Sequence, residues 1–270
     1  MTSTTEIDGA QGRVTVHHWP AAPPRYVLLL AHGYGEHAGR YGHVADAIAA
    51  DGGDVYAPDH HGHGLSEGER ALVSIDDAVA DLHLVAQRAR DEHPDLPIVL
   101  LGHSMGGIIA TRYAQLHTDE LAALVLSGPA IGGNPDIEAL IAMDPIPDVP
   151  IDPAVLSRDP AVGEAYAADP LVYHGPFKRA TLESFFSAIG AITAGPVLHE
   201  PPTVWIHGTD DALAPLAHAS EAVRTLTGGR AEEHVYPHAR HEVLNETNRD
   251  EVIGDVLAFV NRIVAVPAAG

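Results

Sequence analysis

A serine between two glycines is the residue whose setting most clearly indicates chemistry. Gly102, Ser104 and Gly106 form a Gly-x-Ser-x-Gly motif, which follows the apolar run at 98–101 and precedes a helical pattern that begins at Met105. A serine at such a turn has a strained backbone, and a Cβ two residues before or after it would collide with neighbouring backbone. The turn presents the hydroxyl at the edge of a sheet, beside the free N–H groups of a helix N-terminus. The motif therefore predicts Ser104 as a nucleophile.

This arrangement of strand, turn and helix is typical of the nucleophile elbow of α/β-hydrolases, in which an acid and then a histidine follow the serine along the chain. A serine hydroxyl is a weak nucleophile near neutral pH and needs a base that an acid orients. Two adjacent aspartates, Asp210 and Asp211, follow the apolar run at 203–206. His238 and His241 follow the last predicted strand, and we prefer His241 because it lies just before the final helix. The pattern predicts a triad in which the choice of aspartate is open.

Acyl transfer also requires N–H donors for the oxyanion of the tetrahedral intermediate. The backbone N–H of Met105, directly after the nucleophile, is one candidate. The second donor should come from a loop after an early strand, and the segment 32–35 follows the run that ends at Ala31. Glycines at 33 and 35 let this backbone approach a ligand closely, so Tyr34 is the second predicted donor.

The composition and the remaining motifs exclude several other kinds of site. Fifteen basic and 37 acidic residues give a formal net charge of −22, which repels nucleic acids and anionic membranes. The absence of cysteine excludes thiol nucleophiles and disulfides. No P-loop motif is present, and Ala38 stands where a dinucleotide motif beginning at Gly33 needs glycine. Closely spaced histidines on a glycine-rich loop rarely converge on one ion, so we interpret the segment 59–64 as a turn and not as a metal site. We therefore expect the protein to bind no metal and no cofactor.

Short apolar runs alternate with segments of helical period, which is typical of an α/β protein. Continuous apolar runs favour parallel strands that are buried on both faces of a sheet, and they lie at 26–31, 55–57, 98–101, 123–127, 203–206 and 234–236. Helices are predicted at 41–50, 76–93, 105–117, 216–227 and 248–263. An antiparallel edge strand is predicted at 13–19. We therefore expect a mostly parallel sheet with helices on both faces.

The segment 129–202 interrupts this alternation. It contains 12 of the 21 prolines, which exclude long strands there. Apolar helical fragments lie near 137–141 and 182–192, where they either pack an irregular subdomain or line a pocket for an apolar substrate beneath a lid. We accordingly divide the chain into an α/β core, residues 1–128 and 203–270, and a cap.

The start of the chain lacks a basic region followed by an apolar stretch, so we expect no secretory signal peptide. No apolar run is long enough to span a bilayer. These two features predict a cytoplasmic protein, and peripheral association with lipid is compatible with them.

Several stretches resemble the bacterial monoacylglycerol lipases of the α/β-hydrolase superfamily. The matching stretches are 32–41, 59–68, 101–107, 126–130, 207–215 and 241–246. The resemblance extends from about Arg25 to Val260. It selects Asp211 over Asp210, because the aspartate of the family lies four residues before a proline, here Pro215. It also implies that residues 129–202 are the family's apolar cap, which admits an acyl chain.

The resemblance implies a serine esterase that hydrolyses monoacylglycerols to fatty acid and glycerol through an acyl-enzyme. Ser104 would attack, His241 would take its proton, Asp211 would orient the imidazole, and the N–H groups of Tyr34 and Met105 would bind the oxyanion. The implied partners are a lipid ester and, transiently, a lipid interface at the cap, with no cofactor and no nucleic acid. The alternatives are another activity of the same fold (carboxylesterase, lysophospholipase, acyltransferase or peptidase) and a non-catalytic lipid-binding protein.

Overall fold

A mixed sheet forms the centre of the molecule. The computed structural model describes residues 2–265, so Met1 and residues 266–270 of the predicted core lie outside the described residues. Within that range the strands are β1 (Ser3–Asp8), β2 (Arg13–Trp19), β3 (Tyr26–Ala31), β4 (Gly53–Pro58), β5 (Ile98–His103), β6 (Ala123–Ser127), β7 (Thr203–Gly208) and β8 (Glu232–Tyr236). Their order in the sheet is β1-β2-β4-β3-β5-β6-β7-β8. The strands from β3 to β8 are parallel, whereas β2 pairs antiparallel with both β1 and β4.

Helices cover both faces of this sheet. The helices of the described chain are α1 (Gly42–Ala50), α2 (Ile75–Glu92), α3 (Met105–Leu116), α4 (Pro135–Ala139), α5 (Pro160–Ala168), α6 (Arg179–Ala194), α7 (Leu216–Thr227) and α8 (Arg249–Val264). One hydrophobic cluster joins the sheet to α2, α3, α6 and α7, and a second joins its other face to α1 and α8. The predicted fold class is therefore confirmed.

The strand β3 shows why continuous apolar runs identified the central strands. Val27 and Leu29 belong to the cluster on one face of the sheet, and Leu28 and Leu30 to the cluster on the other. Successive side chains of a strand point to opposite faces, so a strand that is covered on both faces is apolar at every position.

The prediction of an edge strand at 13–19 is wrong in one respect. This segment is the antiparallel strand β2, but the edge of the sheet is β1, which pairs with all six positions from Arg13 to His18. Ile7 is the one strongly apolar side chain of β1, and most of the strand's residues are exposed. An edge strand with so little buried surface has no apolar run that a sequence analysis could detect.

The segment 129–202 lies between β6 and β7. All of it is described, and it contains the helices α4, α5 and α6 and no strand, as its prolines predicted. The helix α5 was not predicted, although Asp159 and Pro160 mark its start: the Asp159 side chain accepts a hydrogen bond from the Ala161 N–H. Within residues 2–265, no helix combines the length and the apolar character needed to cross a membrane.

Candidate active site

Ser104 lies at the sharp turn between β5 and α3. Its backbone has φ 55° and ψ −116°, a region that residues other than glycine rarely adopt. A Cβ on Gly102 would lie 2.2 Å from the Gly106 carbonyl oxygen, and a Cβ on Gly106 would lie 1.9 Å from that of Ala31. Both contacts are with backbone, which cannot move aside, so the turn that exposes Ser104 requires glycine at both positions.

His241 and Asp211 form a buried hydrogen-bonded pair. His241 Nδ1 lies 2.8 Å from Asp211 Oδ2. The other carboxylate oxygen, Oδ1, accepts from the backbone N–H groups of Leu213 and Ala214 at 2.9 and 2.8 Å. The carboxylate is therefore fixed from both sides, and it orients the imidazole with Nε2 free for a reacting group.

The charges of this pair stabilise each other. Burial favours the neutral imidazole, but the Asp211 carboxylate outweighs it and raises the pKa of His241 above the usual 6.5. Burial likewise opposes ionisation of Asp211, and the charge and hydrogen bond of His241 hold the pKa of that carboxyl below its usual value. The site thus contains an ionised carboxylate beside a histidine of increased basicity.

The alternative acid and base, Asp210 and His238, lie outside this hydrogen-bonded pair. Asp210 and His238 are both exposed, with side chains 55% and 80% accessible, and His238 Nδ1 lies 3.6 Å from Asp210 Oδ2. The Asp210 carboxylate accepts from the Thr209 hydroxyl at 2.8 Å, as expected for a turn residue.

His207, at the end of β7, is a third buried member of the acid–base network. The indole N–H of Trp205 donates to His207 Nδ1 at 3.1 Å, which places the ring proton of a neutral His207 on Nε2. That atom lies 2.8 Å from the carbonyl oxygen of Ala214 and 3.3 Å from Asp211 Oδ2. Because burial lowers the pKa of His207, the ring stays neutral and presents an N–H to the Asp211 carboxylate.

The predicted oxyanion loop is fixed by a buried glutamate. Glu36 Oε1 accepts from the Gly33 N–H and from the Tyr41 hydroxyl, both at 2.6 Å. Gly35 has φ +76°, a left-handed conformation that favours glycine. Tyr34, between these two glycines, lines the same cavity as Ser104 and Met105. Both predicted donor residues therefore lie beside the serine.

Arg40 connects this loop to the histidine loop. Its side chain is 9% exposed and pairs with Glu36 and with Glu242, the residue after His241. Burial favours the neutral guanidine, but the two carboxylates outweigh it and raise the pKa of Arg40 above its usual value. The arginine is thus a permanent cation between two anions that belong to different loops.

A mostly apolar cavity opens onto Ser104 and His241. Half of its lining residues lie within 129–202, and the other half belong to the core. Its apolar walls include Met105, Ile108, Ile137, Phe177, Phe185, Phe186, Ile189 and Leu213. An apolar chain is the ligand chemistry that such walls favour.

The segment 129–202 is hydrogen-bonded to the predicted oxyanion loop and to the loop that contains His241. The Tyr173 N–H donates to the Gly35 carbonyl at 2.7 Å, and the Glu242 N–H donates to the Leu156 carbonyl at 2.8 Å. The wall of the cavity is therefore attached on one side to the oxyanion loop and on the other to the histidine loop.

The histidine-rich segment 59–64 forms a turn, as predicted. Asp59 is buried and accepts from the N–H groups of Ala38 and Leu65 at 2.8 and 2.9 Å. His60 and His63 are buried, and burial lowers the pKa values of their imidazoles to about 3 and about 4. The Asp59 carboxylate thus joins this turn to the chain at Ala38, four residues before α1 begins.

Comparison with known proteins identifies the family. Residues 22–248 match a family model described as serine aminopeptidase, S33. A monoacylglycerol lipase of Mycolicibacterium smegmatis is 37% identical over 259 residues, which cover 92% of each chain. The chain belongs to the monoacylglycerol lipase family of α/β-hydrolases.

Two solved structures extend this likeness to the fold of the family. A thermostable carboxyl esterase from Bacillus coagulans, solved in complex with glycerol, superposes with a TM-score of 0.82 at 26% identity and covers 97% of this chain and 99% of that one. The monoacylglycerol lipase of Paleococcus ferrophilus gives 0.79 at 26% identity, over 93% and 98%. The α/β-hydrolase fold thus extends over nearly the whole chain.

Three features of this monoacylglycerol lipase homologue had no role in the sequence analysis. They are the neutral His207, the buried Arg40, and the two carboxylates that Arg40 joins. Each lies within a stretch that carried the resemblance, but nothing in the spacing shows that residues 40 and 242, more than 200 positions apart, meet. Arg40 lies among polar and small residues, between His37 and His43, so nothing in its local sequence indicated that it is buried.

Proposed function

We propose that the protein is a serine esterase that hydrolyses monoacylglycerols to a fatty acid and glycerol. The observation that carries this proposal is the apolar cavity that ends at Ser104, beside the hydrogen-bonded pair of His241 and Asp211. Membership of the monoacylglycerol lipase family supports the same substrate class. The cavity offers the acyl chain apolar walls, and the loops offer the ester carbonyl a nucleophile and a base.

Acylation begins with the Ser104 hydroxyl oxygen. It attacks the ester carbonyl carbon while His241 Nε2 takes its proton. The carbonyl oxygen becomes an oxyanion that accepts hydrogen bonds from the N–H groups of Tyr34 and Met105. The tetrahedral intermediate then collapses: the bond to the glycerol oxygen breaks, that oxygen takes the proton from His241, and glycerol leaves.

Deacylation repeats these steps with water as the nucleophile. His241 takes a proton from water, the hydroxide attacks the acyl carbon, and the oxyanion again lies against Tyr34 and Met105. Collapse breaks the bond to Ser104, which recovers its proton from His241, and the fatty acid leaves. Asp211 keeps its charge throughout and stabilises the imidazolium in each half-reaction.

The division into core and cap belongs to this proposal. Residues 129–202 form a cap that supplies the acyl-binding wall, and the core of residues 1–128 and 203–270 supplies the chemistry. A net charge of −22 disfavours anionic lipids, so a neutral glyceride is the better substrate. Contact of the cap with a lipid interface and a cytoplasmic location stay predictions.

A substrate panel tests the proposal. We expect a long-chain monoacylglycerol to be hydrolysed with a higher kcat/KM than a diacylglycerol, a lysophospholipid, a short-chain ester or a peptide. Ser104→Ala should lose this activity on the order of 10⁶-fold in kcat. Ser187→Ala is the matched control, because Ser187 is exposed on α6. If another substrate of the panel has the highest kcat/KM, the protein has that activity and the proposal is wrong.

Labelling separates catalysis from simple binding. A fluorophosphonate probe should label the parent protein and Ser187→Ala but not Ser104→Ala, because it reacts with an activated serine. A folded parent protein that binds monoacylglycerol without labelling or turnover would favour a lipid-binding protein.

A further inference from the structure

A second space adjoins the cavity that opens onto Ser104. It is a groove between the helices α4 and α6 of the segment 129–202 and the core helix α7. The cavity beside Ser104 has a volume of about 80 Å³, whereas the groove has about 430 Å³. Three residues line both spaces, so a boundary one residue thick separates them: Gly133, Asn134 and Ile189.

We propose that this groove binds the distal end of a long acyl chain whose ester group lies at Ser104. The inference rests on the proposed hydrolysis of monoacylglycerols and adds the place where the far end of the substrate lies. The cavity touches both Ser104 and Ile189, so a chain that outgrows it has the groove as its continuation. The groove is the larger of the two spaces, and it therefore offers room that the cavity lacks.

The floor of the groove suits methylene groups. It consists of three buried apolar side chains, Ile131, Ile192 and Leu226. Ala222 and Val197 extend this surface, and Val197 is 44% exposed to solvent. Since burial of one methylene contributes about fourfold to an affinity, a few methylenes in this groove would change the preference for chain length measurably.

The charges on the rim determine which end of a lipid the groove can hold. Glu138 and Glu221 are exposed there, and His218 is the one basic side chain among the described residues that line it. Two carboxylates repel the carboxylate of a free fatty acid, so the groove favours the uncharged methyl end of the chain. This orientation is the one that leaves the ester group at Ser104.

Ile189 determines whether the two spaces connect. Gly133 has no side chain, and its φ of +68° favours glycine. The Asn134 amide is fixed, because it donates to the carbonyl oxygens of Ala212 and Leu213, both at 3.1 Å. The half-buried Ile189 side chain is therefore the movable part of the boundary, and a change of its rotamer would admit the chain.

The test compares octanoyl and palmitoyl monoacylglycerols as substrates. Ala222→Phe fills the groove from α7 and should lower the ratio of kcat/KM for the palmitoyl ester to that for the octanoyl ester by about tenfold or more, because it displaces roughly two methylenes. Ile189→Ala widens the passage and should raise the same ratio. Thr225→Phe, at an exposed position that also lines the groove, repeats the first measurement if Ala222→Phe folds poorly.

Ala217→Phe is the matched control for the groove variants. Ala217 is exposed on the same helix and lines neither the groove nor the cavity, so its ratio should equal that of the parent protein. If the folded groove variants keep the parent ratio, or if Ala217→Phe lowers it equally, the distal chain does not lie in the groove and the inference is wrong.

A second substrate series separates this inference from the proposed function. The p-nitrophenyl esters of octanoic and palmitic acid carry the same acyl chains without glycerol, and the same changes in ratio are expected with them. A protein that cleaves these esters but no monoacylglycerol would contradict the proposed function, and the ratios would still decide on the groove. A protein that cleaves neither series would contradict both.

Discussion

Arg40 donates two hydrogen bonds to the carboxylate of Glu242, at 2.7 and 2.9 Å. The same guanidinium pairs with Glu36 beneath the oxyanion loop and lies 5.1 Å from the centre of the Tyr166 ring. One buried cation therefore joins the oxyanion loop, the histidine loop and a helix of the proposed cap. A buried ion pair that loses one partner leaves an uncompensated charge, so this junction tolerates little change.

We expect Arg40→Lys to lower kcat by about ten- to a hundredfold and to lower the Tm. Lysine keeps the charge but lacks the planar fork that binds Glu242 through two nitrogens while reaching Glu36. The oxyanion donors and the base would then lose their relative position, and small misplacements of reacting groups are costly. Steady-state kinetics on the parent substrate and thermal unfolding measure the two effects.

Arg25→Lys is the control for this prediction. Arg25 pairs with Asp51 at 2.9 Å, but both side chains are partly exposed and lie away from the cavity. Surface ion pairs contribute roughly 0–1 kcal/mol, so kcat should not change. Equal effects of the two substitutions would show that Arg40 has no special part in the site.

His207 should act as a positioning residue for Asp211. His207→Leu removes the N–H that lies 3.3 Å from the Asp211 carboxylate, and we expect kcat to fall by about ten- to a hundredfold with little change in KM. His207→Gln places an amide donor at a similar reach and should recover part of the loss. If His207→Leu and His207→Gln have the same kcat, the role of His207 is packing alone.

The acid limb of the pH–rate profile should report His241. Asp211 raises the pKa of His241 above 6.5, and only the neutral imidazole can accept the Ser104 proton, so kcat/KM falls as the pH decreases through a midpoint above 6.5. Asp211→Asn removes the negative charge that raises the pKa of His241. The midpoint should then move to lower pH, and kcat should fall by about 10⁴-fold.

Asp210→Asn is the control for the pH profile. Its carboxylate is exposed and does not contact His241. Neither the midpoint nor kcat should change. A shift of the acid limb in this variant, with none in Asp211→Asn, would reverse the assignment of the triad acid.

Gly106→Ala should abolish correct folding of the elbow. The added Cβ would lie 1.9 Å from the backbone oxygen of Ala31, so soluble yield and fluorophosphonate labelling should both collapse. Gly254→Ala, on α8, meets nothing within 4 Å and should raise stability by roughly 0.5–1 kcal/mol. Thermal unfolding compares the two; a stable, labelled Gly106→Ala protein would contradict the steric argument.

The central strands and the turn at Ser104 were predictable because each depends on local sequence. A strand covered on both faces is apolar throughout, and the elbow needs glycine at two fixed positions. The strand β1 was not predictable, because an exposed edge strand buries too little surface to leave an apolar pattern. The helix α5 was missed although Asp159 and Pro160 mark its start.

By itself the sequence determined the α/β architecture, and it predicted Ser104 as the nucleophile with a short choice of acids and bases. The chain order alone left Asp210 and Asp211 open, and only the family resemblance favoured Asp211, because the two residues are adjacent and differ in the direction their side chains take. That direction is set by the end of β7 and by the N–H groups of Leu213 and Ala214, which bind the Asp211 carboxylate. The junction at Arg40 likewise depends on residues 40 and 242, which only the tertiary structure brings together.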